Sequence, residues 1–375
     1  MILAVALGVS AAALSLVGVL YLLLYYRRRH INTSRTSEIS SSPPSLQAEH
    51  SIEFSVQEGG SHPSGQRGVW HFSLEELKLA TKNFSDVNLI GHGTFGEAYK
   101  GLLQDGTIVA VKKRQAVPSQ KFIEEVVHLA SIRHRNLVSL LGYCQESDMQ
   151  MLIYDYIPNG GVSTHLYGAS QESANKLEFK HRLSIAYGAA KGLDHLHSLS
   201  SPLVHMNFRT TNVLVDEDFI SKVADPGVRM LLQRVDGVGS SRTTLDDPFI
   251  DPEMKELGRF SKKSDVYSFG VFLVELVSGR EIRSEKSARK WVQNYEGLGE
   301  ISDLVDQRMS ANFTSECMND FLQLIAWCLN ASGERRPAMS YVASELERIR
   351  GKEMTLTTIM GEGTDTVTLG SQLFK

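Results

Sequence analysis

The spacing of apolar residues changes near residue 160, and this change restricts the possible folds more than any other feature. Between residues 89 and 156, short β-rich runs such as Ile108–Val111 and Met151–Tyr154 surround one helical stretch near residues 119–132. From about residue 163 onward the spacing is mostly helical. This order predicts an α+β chain with a small β-rich lobe followed by a larger helical lobe.

An uncharged apolar stretch, Ile2 to Tyr26, precedes these lobes. As a helix it would be about 37 Å long, which is enough to cross a hydrocarbon core of about 30 Å. Three arginines follow at 27–29, and positive residues favour the cytoplasmic side, so the rest of the chain is expected in the cytosol. A cleaved signal peptide is the alternative, but the apolar run exceeds a signal core of about 7–15 residues. We therefore predict residues 1–26 as a single transmembrane helix, with no ectodomain to recognise a ligand unless the chain is a truncated receptor.

The remaining boundaries follow from composition and helix signals. Residues 27–71 are rich in serine and poor in apolar residues, which predicts a disordered juxtamembrane segment. This segment is either a flexible tether or a docking segment controlled by phosphorylation. Residues 72–88 form an N-terminal extension, in which Ser73 and Glu76 match a helix-capping box. We place the two lobes at 89–157 and 158–350, and a flexible tail at 351–375.

Charge and cysteine content exclude several classes of function. The formal net charge is -4, which does not favour binding to nucleic acid. The three cysteines, Cys144, Cys317 and Cys328, are widely spaced and odd in number. They form no metal-ligand pattern and no disulfide framework, which fits a reducing compartment.

Three groups of short motifs carry the chemistry. Gly91, Gly93 and Gly96 form a G-x-G-x-x-G pattern between two strand-like segments. Such glycines let backbone amides approach phosphate groups, although glycine-rich turns also occur for structural reasons. Residues 109–112 (Val-Ala-Val-Lys) follow; alone, Lys112 would be a solvated lysine on an edge strand. Residues 205–212 (His-Met-Asn-Phe-Arg-Thr-Thr-Asn) and 225–227 (Asp-Pro-Gly) form the third group.

Taken together, these motifs resemble the intracellular part of plant receptor-like kinases. The third group has the frame of the kinase catalytic loop H-R-D-L-x-x-x-N followed by D-F-G. Further motifs typical of the family are residues 132–144, residues 264–270 (Ser-Asp-Val-Tyr-Ser-Phe-Gly) and residues 335–339 (Arg-Arg-Pro-Ala-Met). The resemblance covers roughly residues 72–350 and implies the two-lobed protein-kinase fold. It also implies ATP and Mg²⁺ as cofactors and a plasma-membrane location.

The resemblance assigns a role to each motif residue. Lys112 would hold the α- and β-phosphates, paired with Glu125 on the helix after it; Glu124 is the alternative partner. Asp265 would brace the catalytic loop, and Glu253 would pair with Arg336. Asn212 and Asp225 would bind the metal. The adenine pocket would comprise the gatekeeper Tyr154, the hinge residues Asp155, Tyr156 and Ile157, and the ring-contacting side chains Ala98, Ala110 and Leu214.

Asparagine at position 207 is the main departure from the family pattern. The family has an aspartate here that accepts the proton of the substrate hydroxyl, and an amide has negligible basicity. General-base catalysis contributes roughly 10²–10⁴ in rate. Against a kinase turnover of about 1–100 per second, its loss leaves about 10⁻⁴ to 1 per second.

Other departures lie at substrate seating and metal geometry. Met206 replaces the arginine that receives an activation-loop phosphate, and Arg209 replaces a lysine near the γ-phosphate. Pro226 replaces the phenylalanine of D-F-G and is expected to push Asp225 toward extended geometry. Residues 245–250 (Leu-Asp-Asp-Pro-Phe-Ile) replace a glycine-threonine stretch that seats the substrate peptide. The departures therefore concentrate on phosphate transfer, whereas the elements that hold phosphate are retained.

Three functions are compatible with this pattern. The first is a membrane-anchored pseudokinase that binds ATP and serves as a scaffold or allosteric partner of other receptor-like kinases or cytosolic signalling proteins. The second is a slow but active serine/threonine kinase. The third is a fold that no longer binds nucleotide and only contacts proteins.

Overall fold

The computed structural model describes residues 68–167, 177–237, 246–296, 304–309 and 313–361. Within these residues a sheet-based lobe precedes a helical lobe, which confirms the two-lobed α+β prediction. The predicted transmembrane stretch Ile2–Tyr26 and most of the juxtamembrane segment lie outside them. In the described ranges, no helix combines the length and apolarity needed to cross a bilayer.

The N-terminal lobe is a six-stranded sheet in the order β1-β5-β6-β4-β3-β2. Its two helices are α1 (Leu74–Ala80) and α2 (Gln120–Ala130), the latter close to the predicted helix. Val109 and Val111 are fully buried on one face of β4, and Ala110 and Lys112 alternate with them toward the other face. The strands are β1 Trp70–His71, β2 Leu89–His92, β3 Glu97–Leu102, β4 Ile108–Gln115, β5 Leu140–Glu146 and β6 Met149–Asp155.

Helix α1 begins where the capping box predicts. The Ser73 Oγ accepts a hydrogen bond from the Glu76 backbone N–H at 3.2 Å, and Leu77 is completely buried against the outer face of the sheet. The side-chain cap satisfies one of the free N–H groups of the first turn. The N-terminal extension is therefore an integral part of this lobe.

The C-terminal lobe is built around the buried helix α7 (Lys262–Ser278). A two-stranded sheet of β7 (Val213–Val215) and β8 (Ser221–Val223) lies at the cleft between this lobe and the N-terminal lobe. The other helices surround α7 or connect the lobes. They are α3 Val162–Tyr167, α4 Phe179–His197, α5 Val228–Asp236, α6 Pro252–Leu257, α8 Glu285–Glu296, α9 Ser315–Cys328 and α10 Met339–Gly361.

Helix α10 continues past Gly351, where the sequence predicts a flexible tail. The reason is the buried carboxylate of Glu353, which is 1% exposed. It accepts hydrogen bonds from the Thr314 backbone N–H at 3.2 Å and from the Thr314 hydroxyl at 2.7 Å. The predicted tail is therefore helical as far as Gly361, and the remaining residues 362–375 lie outside the described ranges.

One predicted structural ion pair is wrong. Arg336 pairs with Asp251 at 2.7 Å, and Glu253 instead accepts a hydrogen bond from the Gly333 backbone N–H at 2.6 Å. Asp251 caps helix α6 through the Glu253 N–H, and this holds its carboxylate in the core beside the guanidinium. The side chains of Arg336 and Asp251 are 0% and 1% exposed, so this pair is a buried structural link.

Candidate active site

The glycine loop joins β2 to β3 at the cleft. Gly96 has φ of +148°, and a Cβ there would lie 2.1 Å from the Lys113 carbonyl oxygen, so only glycine fits. A Cβ on Gly91 would have no atom within 4 Å, and one on Gly93 would meet only the Gly96 carbonyl oxygen at 4.0 Å. A side chain at position 91 or 93 would therefore meet no steric obstacle in the described part of the chain. Such open space is expected where the backbone faces a ligand.

The tip of the glycine loop is folded into the protein. Phe95 is 3% exposed and stacks on Phe122 of α2, with ring centroids 6.4 Å apart. The Arg114 guanidinium covers its ring at 5.3 Å. The neighbouring Thr94 hydroxyl accepts a hydrogen bond from the Asn207 side-chain amide at 3.0 Å. Two atoms in direct hydrogen-bond contact leave no space for a phosphate group between them, so the loop must lift before a terminal phosphate can lie there.

Lys112 lies on β4 and forms an ion pair with Asp225, the residue expected to bind metal. Both side chains are largely buried, at 17% and 6% exposure. Asp225 has φ of +61°, so the expected extended backbone before Pro226 is wrong. Aspartate tolerates the left-handed region better than most residues, and this conformation accompanies the contact with Lys112.

The predicted ion pair between Lys112 and Glu125 is also wrong in this conformation. Glu125 instead pairs with Arg234 of α5, whose Nη1 lies 2.9 Å from both carboxylate oxygens. At the end of the same helix, Asp236 accepts hydrogen bonds from Arg114 at 2.7 and 3.0 Å. Helix α5, which directly follows the Asp-Pro-Gly motif, therefore contacts both α2 and β4. Its ion pair with Glu125 holds that carboxylate away from Lys112.

The catalytic loop is braced by Asp265, as the sequence predicts. Its carboxylate accepts hydrogen bonds from the backbone N–H groups of His205 and Met206, at 2.7 and 3.0 Å. Burial lowers the pKa of His205, which favours a neutral ring whose Nδ1 accepts from the Asn207 N–H and whose Nε2 donates to the Ala224 carbonyl. The loop thus keeps a kinase-like frame although its central residue is an amide.

Arg209 is engaged by the activation segment. Its Nη2 lies 2.5 Å from the Asp247 carboxylate, and its guanidinium stacks over the Phe249 ring at 5.3 Å. The buried Arg209 Nε has no hydrogen-bond partner within the described ranges. A cation expected near the γ-phosphate is therefore neutralised by Asp247, one of the two acids that replace the family's substrate-seating stretch.

The expected adenine-contacting residues line neighbouring strands. Tyr154 on β6 pairs with Ala110 on β4, and Ala98 on β3 pairs with Lys112. Burial raises the pKa of Tyr154 well above its usual value, and the nearby charge of Asp225 adds to this. Asp155 follows at the end of β6, Lys100 covers the Tyr156 ring at 4.5 Å, and Leu214 lies on β7.

The donor set fits a magnesium ion that shares its ligands with a nucleotide. Asp225 and Asn212 lie on adjacent segments, because the Ala224 N–H donates to the Asn212 carbonyl at 2.8 Å. Asn212 Nδ2 donates to the Asn207 carbonyl, which leaves the side-chain oxygen of Asn212 for a cation. Carboxylate and amide oxygens suit Mg²⁺, which takes the rest of its shell from phosphates and water. No group of three or more His, Cys, Asp or Glu side chains in the described ranges could hold a metal alone.

Sequence reasoning missed the residues that close this site. Arg114, Arg234 and Asp236 belong to no motif, and Thr94 occupies an unspecified position of the glycine motif. The partners of all four are therefore known only from the fold. The acids at 246 and 247 depart from the family pattern, but no pattern in the chain identifies Arg209 as the partner of Asp247.

The family assignment agrees with this geometry. The profile described as protein tyrosine and serine/threonine kinase matches residues 85–346. The chain therefore belongs to the protein kinase family. Its relatives include receptor-like kinases of Arabidopsis thaliana: it is 38% identical over 288 residues to receptor-like protein kinase ANXUR1 and 39% identical over 300 residues to wall-associated receptor kinase-like 1. Each match covers 74% of this chain, but only 33% and 39% of the respective relative.

Solved structures similar to this chain include pseudokinases. The pseudokinase domain of BIR2, an immune regulator of the RLK/Pelle family, superposes with a TM-score of 0.65 at 29% identity, over 74% of this chain and 86% of that chain. Pseudokinase DRIK1 (drought responsive inactive kinase 1), bound to ENMD-2076, gives a TM-score of 0.61 at 26% identity, over 76% and 97%. The predicted resemblance to plant receptor-like kinases is confirmed.

Proposed function

We propose that this protein is a receptor-like pseudokinase that binds ATP weakly and acts as a scaffold or allosteric partner in phosphorylation signalling. The observation that carries the proposal is the contact between Asn207 and Thr94. It joins an amide in place of the catalytic base to the glycine loop, across the place where the transferred phosphate would lie.

Three further contacts support low catalytic activity. Lys112 and Asp225 neutralise each other, Glu125 is held by Arg234, and Arg209 is held by Asp247. Phosphoryl transfer depends on positioning and charge, and it requires both the lysine–glutamate pair and the aspartate–magnesium contact. Each group needed for transfer therefore has another partner in this conformation.

Nucleotide binding is the second part of the proposal. The backbone at Gly91 and Gly93 would face the phosphates, Lys112 would bind them, and Asp225 with Asn212 would hold Mg²⁺. When bound, Mg²⁺ would neutralise phosphate charge. Because the loop must lift and Lys112 must leave Asp225, the binding-competent state is a fraction of the population. The apparent dissociation constant rises in proportion to the inverse of that fraction.

The partners and location that we propose follow from the family. Receptor-like kinase relatives suggest that the kinase-like domain contacts other receptor-like kinases or cytosolic signalling proteins. The apolar stretch Ile2–Tyr26, followed by three arginines, supports anchoring in the plasma membrane with the domain in the cytosol.

A slow serine/threonine kinase is the second candidate, and the retention of Lys112, Asn212 and Asp225 in one cleft favours it. Incorporation of radiolabelled phosphate by the full chain separates the two candidates. The pseudokinase is expected to incorporate no label above the Lys112→Ala background. Incorporation at about 10²-fold or more below the usual kinase range that disappears in Lys112→Ala would establish the slow kinase and refute the pseudokinase.

Stabilisation by nucleotide tests the binding part. At ATP–Mg²⁺ concentrations one hundred times the dissociation constant, we expect a gain of about 2.7 kcal/mol in unfolding free energy. Lys112→Ala should reduce the corresponding thermal shift, because it removes the charge that holds the phosphates.

Lys113→Ala is the matched control for this measurement. Lys113 is the next residue on β4 and contacts Glu97 at 3.3 Å and the Phe84 ring at 4.7 Å, away from Asp225. We expect it to lower the baseline melting temperature and to keep the nucleotide shift. An equal thermal shift in the wild type and Lys112→Ala would place the nucleotide elsewhere. No shift in the wild type or in either variant would leave contact with other proteins as the function.

A further inference from the structure

The N-terminal strand β1 is docked on the edge of the sheet by backbone contacts. It pairs in parallel with β5, with Trp70 opposite Gly142 and His71 opposite Tyr143. The Phe72 N–H donates to the Tyr143 carbonyl at 2.9 Å. A Cβ on Gly142 would lie 2.1 Å from the Trp70 carbonyl oxygen, so the strand can approach this closely only because residue 142 is glycine.

Side chains of this strand alternate between the two faces of the sheet. Trp70 and Phe72 join the apolar cluster on the outer face, together with Leu77 of α1. His71 points the other way and contacts the Tyr143 ring, with centroids 5.2 Å apart. Tyr143 belongs to the cluster between the sheet and α2, so His71 gives the N-terminal segment a contact on the inner side.

A continuous row of rings leads from Tyr143 to the glycine loop. Tyr143 meets Phe122 of α2 edge-on at 6.3 Å, and Phe122 stacks on Phe95 at 6.4 Å. Phe95 adjoins Thr94, which bonds to Asn207. Protein interiors are closely packed with few voids, so this row of direct contacts forms an unbroken physical connection between β1 and the glycine loop.

We propose that the docking state of β1 controls the glycine loop through His71, Tyr143, Phe122 and Phe95. With β1 docked, the rings hold Phe95 inward and the loop stays closed on Asn207. A partner protein or a mechanical force that detaches residues 68–72 from β5 removes the contact with Tyr143. The packing around Phe95 then loosens, and the cleft opens. The effect on nucleotide rests on the proposed function, whereas the coupling between strand and loop does not.

Gly142→Ala in the full chain tests this coupling, because its Cβ would displace β1. We expect hydrogen–deuterium exchange in residues 93–97, measured without nucleotide, to rise about 2- to 10-fold, the range given by loss of one aromatic contact. If ATP–Mg²⁺ binds, its apparent dissociation constant should fall by a similar factor, because the closed loop competes with phosphate.

Gly68→Ala is the matched control, since a Cβ there has no atom within 4 Å and lies two residues before β1. It should leave loop exchange unchanged. His71→Ala removes only a partly buried ring and keeps the test available if Gly142→Ala fails to fold.

Faster exchange in β1 and β5 without faster exchange in the loop would overturn the inference. Faster loop exchange in a protein that binds no nucleotide would support the coupling and refute the proposed nucleotide site.

Discussion

Replacing Asn207 by aspartate should raise the rate of phosphate transfer by about 10²–10⁴-fold, the usual contribution of a general base. The variant supplies a carboxylate at the position of the family's base, in a loop whose backbone is already held by Asp265. The Thr94 hydroxyl can donate to that carboxylate, so closure of the glycine loop remains possible. Lifting the loop and separating Lys112 from Asp225 are required in both proteins, and the ratio of rates therefore isolates the base.

Incorporation of radiolabelled phosphate measures this ratio, with Asn207→Ala and Lys112→Ala as controls. Asn207→Ala removes the contact with Thr94 and supplies no base, so its rate should stay near that of the wild type. Lys112→Ala defines the contaminating background. If Asn207→Asp is no faster than Asn207→Ala, the obstacle to transfer lies in the activation segment and the loss of the base is not the limiting defect.

Replacing Arg336 by methionine should destabilise the protein by about 3–5 kcal/mol. The guanidinium is fully buried and also donates to the carbonyls of Asn330, Ala331 and Lys263. Methionine fills similar space but leaves the carboxylate of Asp251, 1% exposed, without its counter-charge. Urea unfolding followed by circular dichroism gives the change in free energy.

Arg348→Met is the matched control, because Arg348 pairs with Asp320 at 2.7 Å on the surface, with 47% of its side chain exposed. Its cost should be about 0–1 kcal/mol. Adding Asp251→Asn to Arg336→Met should recover part of the loss, since an amide carries no buried charge and can still cap α6. Equal costs for Arg336→Met and Arg348→Met would show that the buried pair contributes little.

The sequence predicts the fold because its apolar spacing and its motifs agree. The run around Val109 and Val111, the cap at Ser73 and the brace at Asp265 depend on local pattern or on motifs with a fixed frame, and each was found where expected. The glycine loop, Lys112 and the catalytic loop likewise meet in one cleft. The ion-pair partners of these residues were predicted less well.

The errors concern choices between charged partners of similar reach. Lys112 can reach more than one carboxylate, and the choice of Asp225 depends on where α5 draws Glu125. Asp251 and Glu253 are two residues apart, and either could pair with Arg336. The capping role of Asp251 holds its carboxylate beside the guanidinium and so decides the pairing. The choice between such partners depends on tertiary geometry, which local sequence patterns do not encode.

The carboxylate of Glu353 sets a practical limit on any shortened form of this protein. Thr314, which it binds, is also the N-cap of α9, where its Oγ1 accepts from the Cys317 N–H at 3.4 Å. Expression of a fragment ending at Gly351, the boundary that composition suggests, would remove this support from the first turn of a helix that packs one face against the core. A recombinant kinase-like domain should therefore extend beyond Glu353, and poor solubility of a shorter fragment would reflect the choice of end point rather than the fold.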